Sequence, residues 1–108
     1  MISENVLKEA TDRLISRFNP EKIILFGSQA RGDATEHSDV DLLVVCGCPE
    51  RRRPLVLEMY RALKGMGFAK DIIVMTPQEF EIGKCYVGTI ANPASKEGRV
   101  LYERWEKQ

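Results

Sequence analysis

Two rhythms of apolar residues alternate along the chain. Val6, Leu7, Ala10, Leu14, Ile15 and Phe18 recur at helical spacing, which predicts an amphipathic helix over Ser3 to Arg17, capped by Ser3 and stopped by Asn19-Pro20. Lys22 to Phe26 ("KIILF"), bounded by Pro and Gly, and Val40 to Cys46 ("VDLLVVC"), closed by Gly47 and Pro49, are instead short runs rich in branched and aromatic residues, the profile of buried strands. Leu55, Val56, Met59, Ala62, Leu63 and Met66 return to one helical face. That helix should start near Pro54, a favourable first-turn residue, and stop at Gly65 or Gly67. Lys70 to Met75 ("KDIIVM") predicts a third strand. Thr76-Pro77-Gln78-Glu79 combines capping-box spacing with Pro at the first helical position, so a short helix should run to about Ile82. Thr89 to Glu97 reads as a helix ending at Gly98, with Pro93 in its first turn or kinking it, and Val100 to Glu103 as a short edge strand. The order predicts an α/β protein, a small sheet covered by helices.

Composition narrows the partners. A chain of 108 residues is expected to form one small domain over residues 1–108 with a real core. Its 16 basic and 16 acidic side chains cancel, and aromatics make up 7%, so neither membrane surfaces nor direct nucleic-acid binding gains support. Apolar runs fall well short of a membrane span, and "MISENVLKEA" lacks a basic-then-apolar signal pattern. The expected location is the cytoplasm. Cys46, Cys48 and Cys85 form a poor disulfide framework and have no His or fourth Cys to complete a metal site, so they are read as reduced thiols.

Phe26 to Val44, "FGSQARGDATEHSDVDLLV", carries the candidate chemistry. Alternation along a strand points Asp39 and Asp41 the same way while Val40 faces the core. Paired carboxylates without His or Cys favour Mg²⁺ or Mn²⁺ over zinc. A calcium loop of the EF-hand type fails, because Leu43 and Val44 stand where a ligand and a glycine are needed; a Walker A loop fails at Asp33; and no G-x-G-x-x-G occurs. Gly27-Ser28, at the end of the preceding strand, suits the other half of a nucleotide site. The glycine lets backbone amides approach an anion, and Ser28 opens a short helix facing a phosphate. Together the turn and the acids bracket a metal-bound triphosphate. Arg31 reads equally as an ion pair to Asp33 or Asp41. His37 reads as a solvated loop residue, and Arg51-Arg52-Arg53 as a solvated turn before a helix.

The stretch Gly27-Ser28, ten intervening residues, then Asp39-Val40-Asp41 resembles the minimal nucleotidyltransferase (MNT) family of the DNA polymerase β superfamily, as does the terminal "EGRVLYE". The resemblance implies the polymerase β palm-like fold with a small mixed sheet. It implies that Gly27 and Ser28 hold the β and γ phosphates, that Arg31 reaches the phosphates or ties the loop to the strand ends, and that Asp39 and Asp41 bind metal. The family's third carboxylate lies on a following strand, where Asp71 is the acid that matches; it would ligate a second Mg²⁺ (or Mn²⁺) and help deprotonate the attacking hydroxyl. The donor would be ATP or another nucleoside triphosphate. Standalone MNT proteins resemble the antitoxin half of HEPN/MNT toxin–antitoxin pairs, which implies AMP transfer to a hydroxyl of a HEPN-domain partner. The alternative is a nucleotide-binding module that occludes its partner without turnover. Exposed faces of the last helix leave a homo-oligomer open, with nothing selecting a dimer.

Overall fold

The structure, a computed structural model, describes residues 2–35, 38–47 and 52–104. Helix α1 spans Glu4–Phe18; Ser3 caps it by accepting a hydrogen bond from the Val6 amide, and Asn19 ends it in the left-handed conformation. Strand β1 (Lys22–Phe26), the one-turn helix α2 (Ser28–Arg31) and strand β2 (Val40–Val45) follow. Helix α3 (Arg52–Ala62), strand β3 (Lys70–Met75), helices α4 (Pro77–Gly83) and α5 (Ala91–Glu97) and strand β4 (Arg99–Glu103) complete the chain.

The four strands form a mixed sheet in the order β3-β2-β1-β4. β1 is antiparallel to β2 and to β4, whereas β2 and β3 are parallel. A parallel pair needs a crossover, and α3 supplies it. Period-two alternation then sends side chains to two separate cores. Ile23 and Leu25 of β1, Val40, Leu42 and Val44 of β2, and Ile72 and Val74 of β3 pack under α1 and α3 with Leu7, Leu14, Met59 and Leu63. Ile24, Leu43 and Val45 pack on the other face with Phe80 of α4 and Ala91 and Ala94 of α5. Leu14, Leu43 and Leu63 are fully buried; truncating a side chain of this kind to alanine costs about 2–5 kcal/mol. No helix among the described residues is long and apolar enough to cross a membrane.

Several expected boundaries move: α3 ends at Ala62, short of Gly65 and Gly67, α5 begins at Ala91 rather than Thr89, and β4 begins at Arg99. α3 begins at Arg52, two residues ahead of Pro54, because proline's missing amide is tolerated anywhere in the first turn. Arg52 and Arg53 are thus helical rather than part of a turn, and Arg52 donates to Glu79 Oε1 at 2.7 Å. Strand β2 stops at Val45, although the Cys46 amide still bonds the Met75 carbonyl at 2.8 Å. The Thr76–Glu79 capping box forms in both directions, with Pro77 in the first turn. Pro93 lies in the first turn of α5, and Thr89 Oγ1 accepts from the Asn92 amide at 3.1 Å. Cys46 and Cys85 are free thiols, buried and exposed respectively; Cys48, His37 and Arg51 lie outside the described residues.

Candidate nucleotide and metal site

Strand direction gathers the sequence-selected residues at one end of the sheet. Because β1 runs against β2 and β3, the C-terminal end of β1 meets the N-terminal ends of the other two: Phe26 pairs with Asp41, and Asp41 with Asp71. Val40, Leu42, Ile72 and Val74 point into the α1/α3 core, so alternation places Asp41 and Asp71 on the α4/α5 face. Asp39 stands just ahead of β2 and is exposed, Asp41 is half-buried, and Asp71 is exposed.

Burial pushes the Asp41 carboxyl above its ordinary range, the charges of Asp71 and Asp39 push it further, and Arg31 opposes them. The acids therefore act on one another. Among the described residues no three His, Cys, Asp or Glu side chains are grouped so as to hold a metal ion; the three aspartates share one end of the sheet. Their chemistry fits a hard divalent cation. Oxygen donors whose mutual repulsion raises a proton affinity gain more from a cation than from water alone.

The turn facing these acids is built from Gly27. Its φ of 75° lies in the region that favours glycine, and a Cβ there would strike the Asp41 carboxylate. The Gly27 carbonyl accepts from the Ala30 and Arg31 amides, each at 3.1 Å, which closes α2 into a single turn. Ser28 and Gln29 occupy the first-turn positions whose amides have no intrahelical acceptor. Arg31 projects from the end of α2, where its Nε donates to Asp33 Oδ2 at 3.3 Å and its Nη1 lies 3.7 Å from Glu97 Oε2 on α5. Of the two ion pairs open to Arg31 in the sequence, the structure forms the one to Asp33; Asp41 feels its charge without a salt bridge.

Three supporting residues carry no local signature in the sequence. Gln29, 7% exposed, accepts from the Ile2 amide through Oε1 at 3.1 Å and donates from Nε2 to the Ser38 carbonyl at 3.3 Å. It fastens the Gly27-Ser28 turn to the residue preceding Asp39. Tyr60 of α3 accepts from the Ile72 amide at 2.9 Å and donates to Asp71 Oδ1 at 3.5 Å. Glu97 reaches Arg31 from 66 positions along the chain, the difference of 97 and 31. A cavity of about 500 Å³ adjoins Gln29, but its lining by Val6, Val40, Met66 and Phe68 puts it on the α1/α3 side, away from the acids.

Residues 7–106 match the nucleotidyltransferase domain model. A protein of Methanocaldococcus jannaschii that carries the provisional name protein adenylyltransferase is 51% identical over 47 residues, covering 42% of this chain and 47% of that one. The chain spans about half the length of the curated relatives it matches. A crystal structure of a provisionally named nucleotidyltransferase from Sulfolobus solfataricus aligns over 93% of this chain and 79% of its own, with 25% identity and a TM-score of 0.63. A toxin–antitoxin structure with AMP-PNP shares the fold, covering 90% of this chain and 73% of its own at 19% identity and a TM-score of 0.56. With the family model running from α1 past β4, and the same fold in a solved relative, the chain belongs to the nucleotidyltransferase domain family.

Proposed function

We propose that this chain is an Mg²⁺-dependent nucleotidyltransferase of the cytoplasm that moves AMP from ATP to a hydroxyl of a partner protein, a HEPN-domain toxin. The observation that carries the reading is the in-register placement of Asp41 and Asp71, with Asp39 beside them, opposite the Gly27-Ser28 turn. The relative named as a protein adenylyltransferase and the toxin–antitoxin neighbour with AMP-PNP support the acceptor class and the donor.

In this reading Ser28 and the amides opening α2 hold the β and γ phosphates, and Arg31 turns from Glu97 towards them. Asp39, Asp41 and Asp71 hold two divalent ions. When bound, such ions neutralise the triphosphate and the departing pyrophosphate. The acceptor oxygen attacks the α phosphorus, the bond to the bridging oxygen of the β phosphate breaks, and pyrophosphate leaves. Asp71, the most exposed position on β3 within the cluster, takes up the hydroxyl proton and passes it to solvent. The residues so assigned bind phosphate and metal at one end of the sheet, and the partner presents the acceptor hydroxyl.

The test uses the purified chain, the protein encoded beside it, Mg²⁺ and ATP labelled at the α phosphate. Label should appear in the partner with the wild-type chain and fall by orders of magnitude with Asp39→Asn. A wild type that transfers nothing, or an Asp39→Asn variant that transfers as well as wild type, defeats the reading.

A further inference from the structure

We infer that Tyr60 is the positioning residue for Asp71: its hydroxyl holds one carboxylate oxygen so that the other faces the cation position shared with Asp41. The inference rests on the reading of Asp71 as a metal-binding acid.

The geometry leaves the Tyr60 hydroxyl little choice. A phenol has one proton to give and lone pairs to receive. The Ile72 amide, on the outward edge of β3, already donates to Tyr60 Oη at 2.9 Å. With that amide occupying the acceptor side, the hydroxyl proton is turned to Asp71 Oδ1, 3.5 Å away. Tyr60 itself is fixed, because its ring packs half-buried against the α1/α3 core. A rigid ring on α3 thus reaches around the edge strand to a carboxylate on the opposite face of the sheet.

The consequence follows from where Asp71 sits. β3 is an edge strand, and Asp71 near its start is exposed. Left alone, such a side chain samples several staggered rotamers. Asp41 lies where a Cβ on Gly27 would meet its carboxylate, whereas Asp71 is exposed on its strand. A donor on Oδ1 restricts the rotamers and leaves Oδ2 for the ion, the arrangement by which an outer partner orients a metal ligand.

The experiment titrates the 108-residue chain with Mn²⁺ alone, following the free-ion electron paramagnetic resonance signal for wild type, Tyr60→Phe, Asp71→Asn and the double variant. Removing an outer partner of this kind costs about tenfold in metal affinity. Tyr60→Phe should lose about that factor, Asp71→Asn at least as much, and the double variant no more than Asp71→Asn, since the hydroxyl then has no carboxylate to place. A merely structural tie to Ile72 predicts a lower melting temperature with unchanged Mn²⁺ affinity, and that result overturns the inference, as does an additive double variant. If Asp71→Asn binds Mn²⁺ like wild type while Asp39→Asn does not, the assignment of Asp71 fails and Tyr60 falls with it, but the Asp39 half of the site stands. Should Tyr60→Phe be too unstable to titrate, the Tyr60 Cζ resonance decides: Mg²⁺ should shift it in wild type and leave it unmoved in Asp71→Asn, and a resonance unmoved in wild type overturns the inference.

Discussion

Asp41 occupies the space that a side chain on Gly27 would need, so the Gly27-Ser28 turn and strand β2 approach one another where a methyl group would collide. Gly27 also carries a φ of 75°. Gly27→Ala therefore meets two penalties, backbone strain and a collision with the carboxylate. Unfavourable φ alone should lower stability by more than about 1 kcal/mol, and the displaced Asp41 should lose its place opposite the turn. The expected outcome is AMP transfer reduced by at least about a hundredfold, a loss of about 2.7 kcal/mol in transition-state stabilisation, in protein that thermal denaturation shows to be folded. Retention of near-normal transfer would mean that the turn does not set the Asp41 position.

The same aspartate should trade stability for function. Burial first, then Asp71 and Asp39, raise its proton affinity in the folded state. A carboxyl raised on folding is a penalty in its ionised form. That penalty is fully present above the folded pKa, is relieved as pH falls through it, and is gone below the unfolded value near 3.9. Without divalent metal, Asp41→Asn should therefore melt higher than wild type at neutral pH, and the gap should close as the buffer is acidified. Mg²⁺ should reverse the order by binding the native wild type, with about 2.7 kcal/mol of stabilisation at a hundred times Kd. Melting curves in EDTA and in Mg²⁺ across pH 4–8, a range set by the ordinary carboxylate value, check both statements. A variant that melts lower than wild type in EDTA contradicts the electrostatic account.

Arg31 is paired with two carboxylates, Asp33 at 3.3 Å and Glu97 of α5 at 3.7 Å. Both pairs are largely exposed, and pairs of that kind contribute about 0–1 kcal/mol. Freeing the guanidinium should help nucleotide binding only a little, by less than about fivefold on that scale. Losing it removes a charge-assisted bond worth about 1.5–3 kcal/mol. Glu97→Gln should thus tighten ATP binding slightly and Arg31→Ala should weaken it about tenfold or more, as measured by calorimetry in Mg²⁺. Equal affinity in all three proteins would place Arg31 in the loop alone.

Local chemistry is what the sequence exposes, and the legible features are local ones. Ser3 and Thr76 act within three residues of themselves, so their caps were readable from spacing. The short runs forming β1, β2 and β3 kept their limits to within one residue. The two-residue spacing of Asp39 and Asp41 was likewise local, although Asp39 itself stands just ahead of β2 and outside its alternation. The register that sets Asp41 against Asp71 depends instead on the α3 crossover, and no residue near either acid announces it. Gln29, Tyr60 and Glu97 are more opaque still. Each acts through one hydrogen bond or ion pair to a distant segment, and a polar residue whose partner is folded to it from elsewhere looks like any other polar residue. α3 started early for a related reason: Pro54 permits a helix around it without fixing which first-turn position it takes.

Gln29 offers the sharpest separation of scaffold from chemistry. Its side chain is buried, and its two bonds join the segment before α1, at Ile2, to the loop before Asp39, at Ser38. Gln29→Leu keeps the volume but leaves the Ile2 amide and the Ser38 carbonyl without this partner. An unmade bond to a buried group costs about 1–3 kcal/mol, but Ile2 and Ser38 are half-buried and regain part of that from water. Global stability should therefore fall by about 1 kcal/mol, whereas the loop carrying Asp39 loses its attachment to the Gly27-Ser28 turn. AMP transfer should drop by more than the roughly fivefold that 1 kcal/mol represents, with a weaker response of the melting temperature to Mg²⁺ than in wild type. Gln29→Glu separates the two bonds, since a carboxylate can still accept from Ile2 but cannot donate to Ser38. If it is the Ser38 bond that positions Asp39, the glutamate variant should resemble Gln29→Leu in transfer, while its buried carboxylate lowers stability at neutral pH; transfer restored by glutamate would assign the effect to the Ile2 side instead.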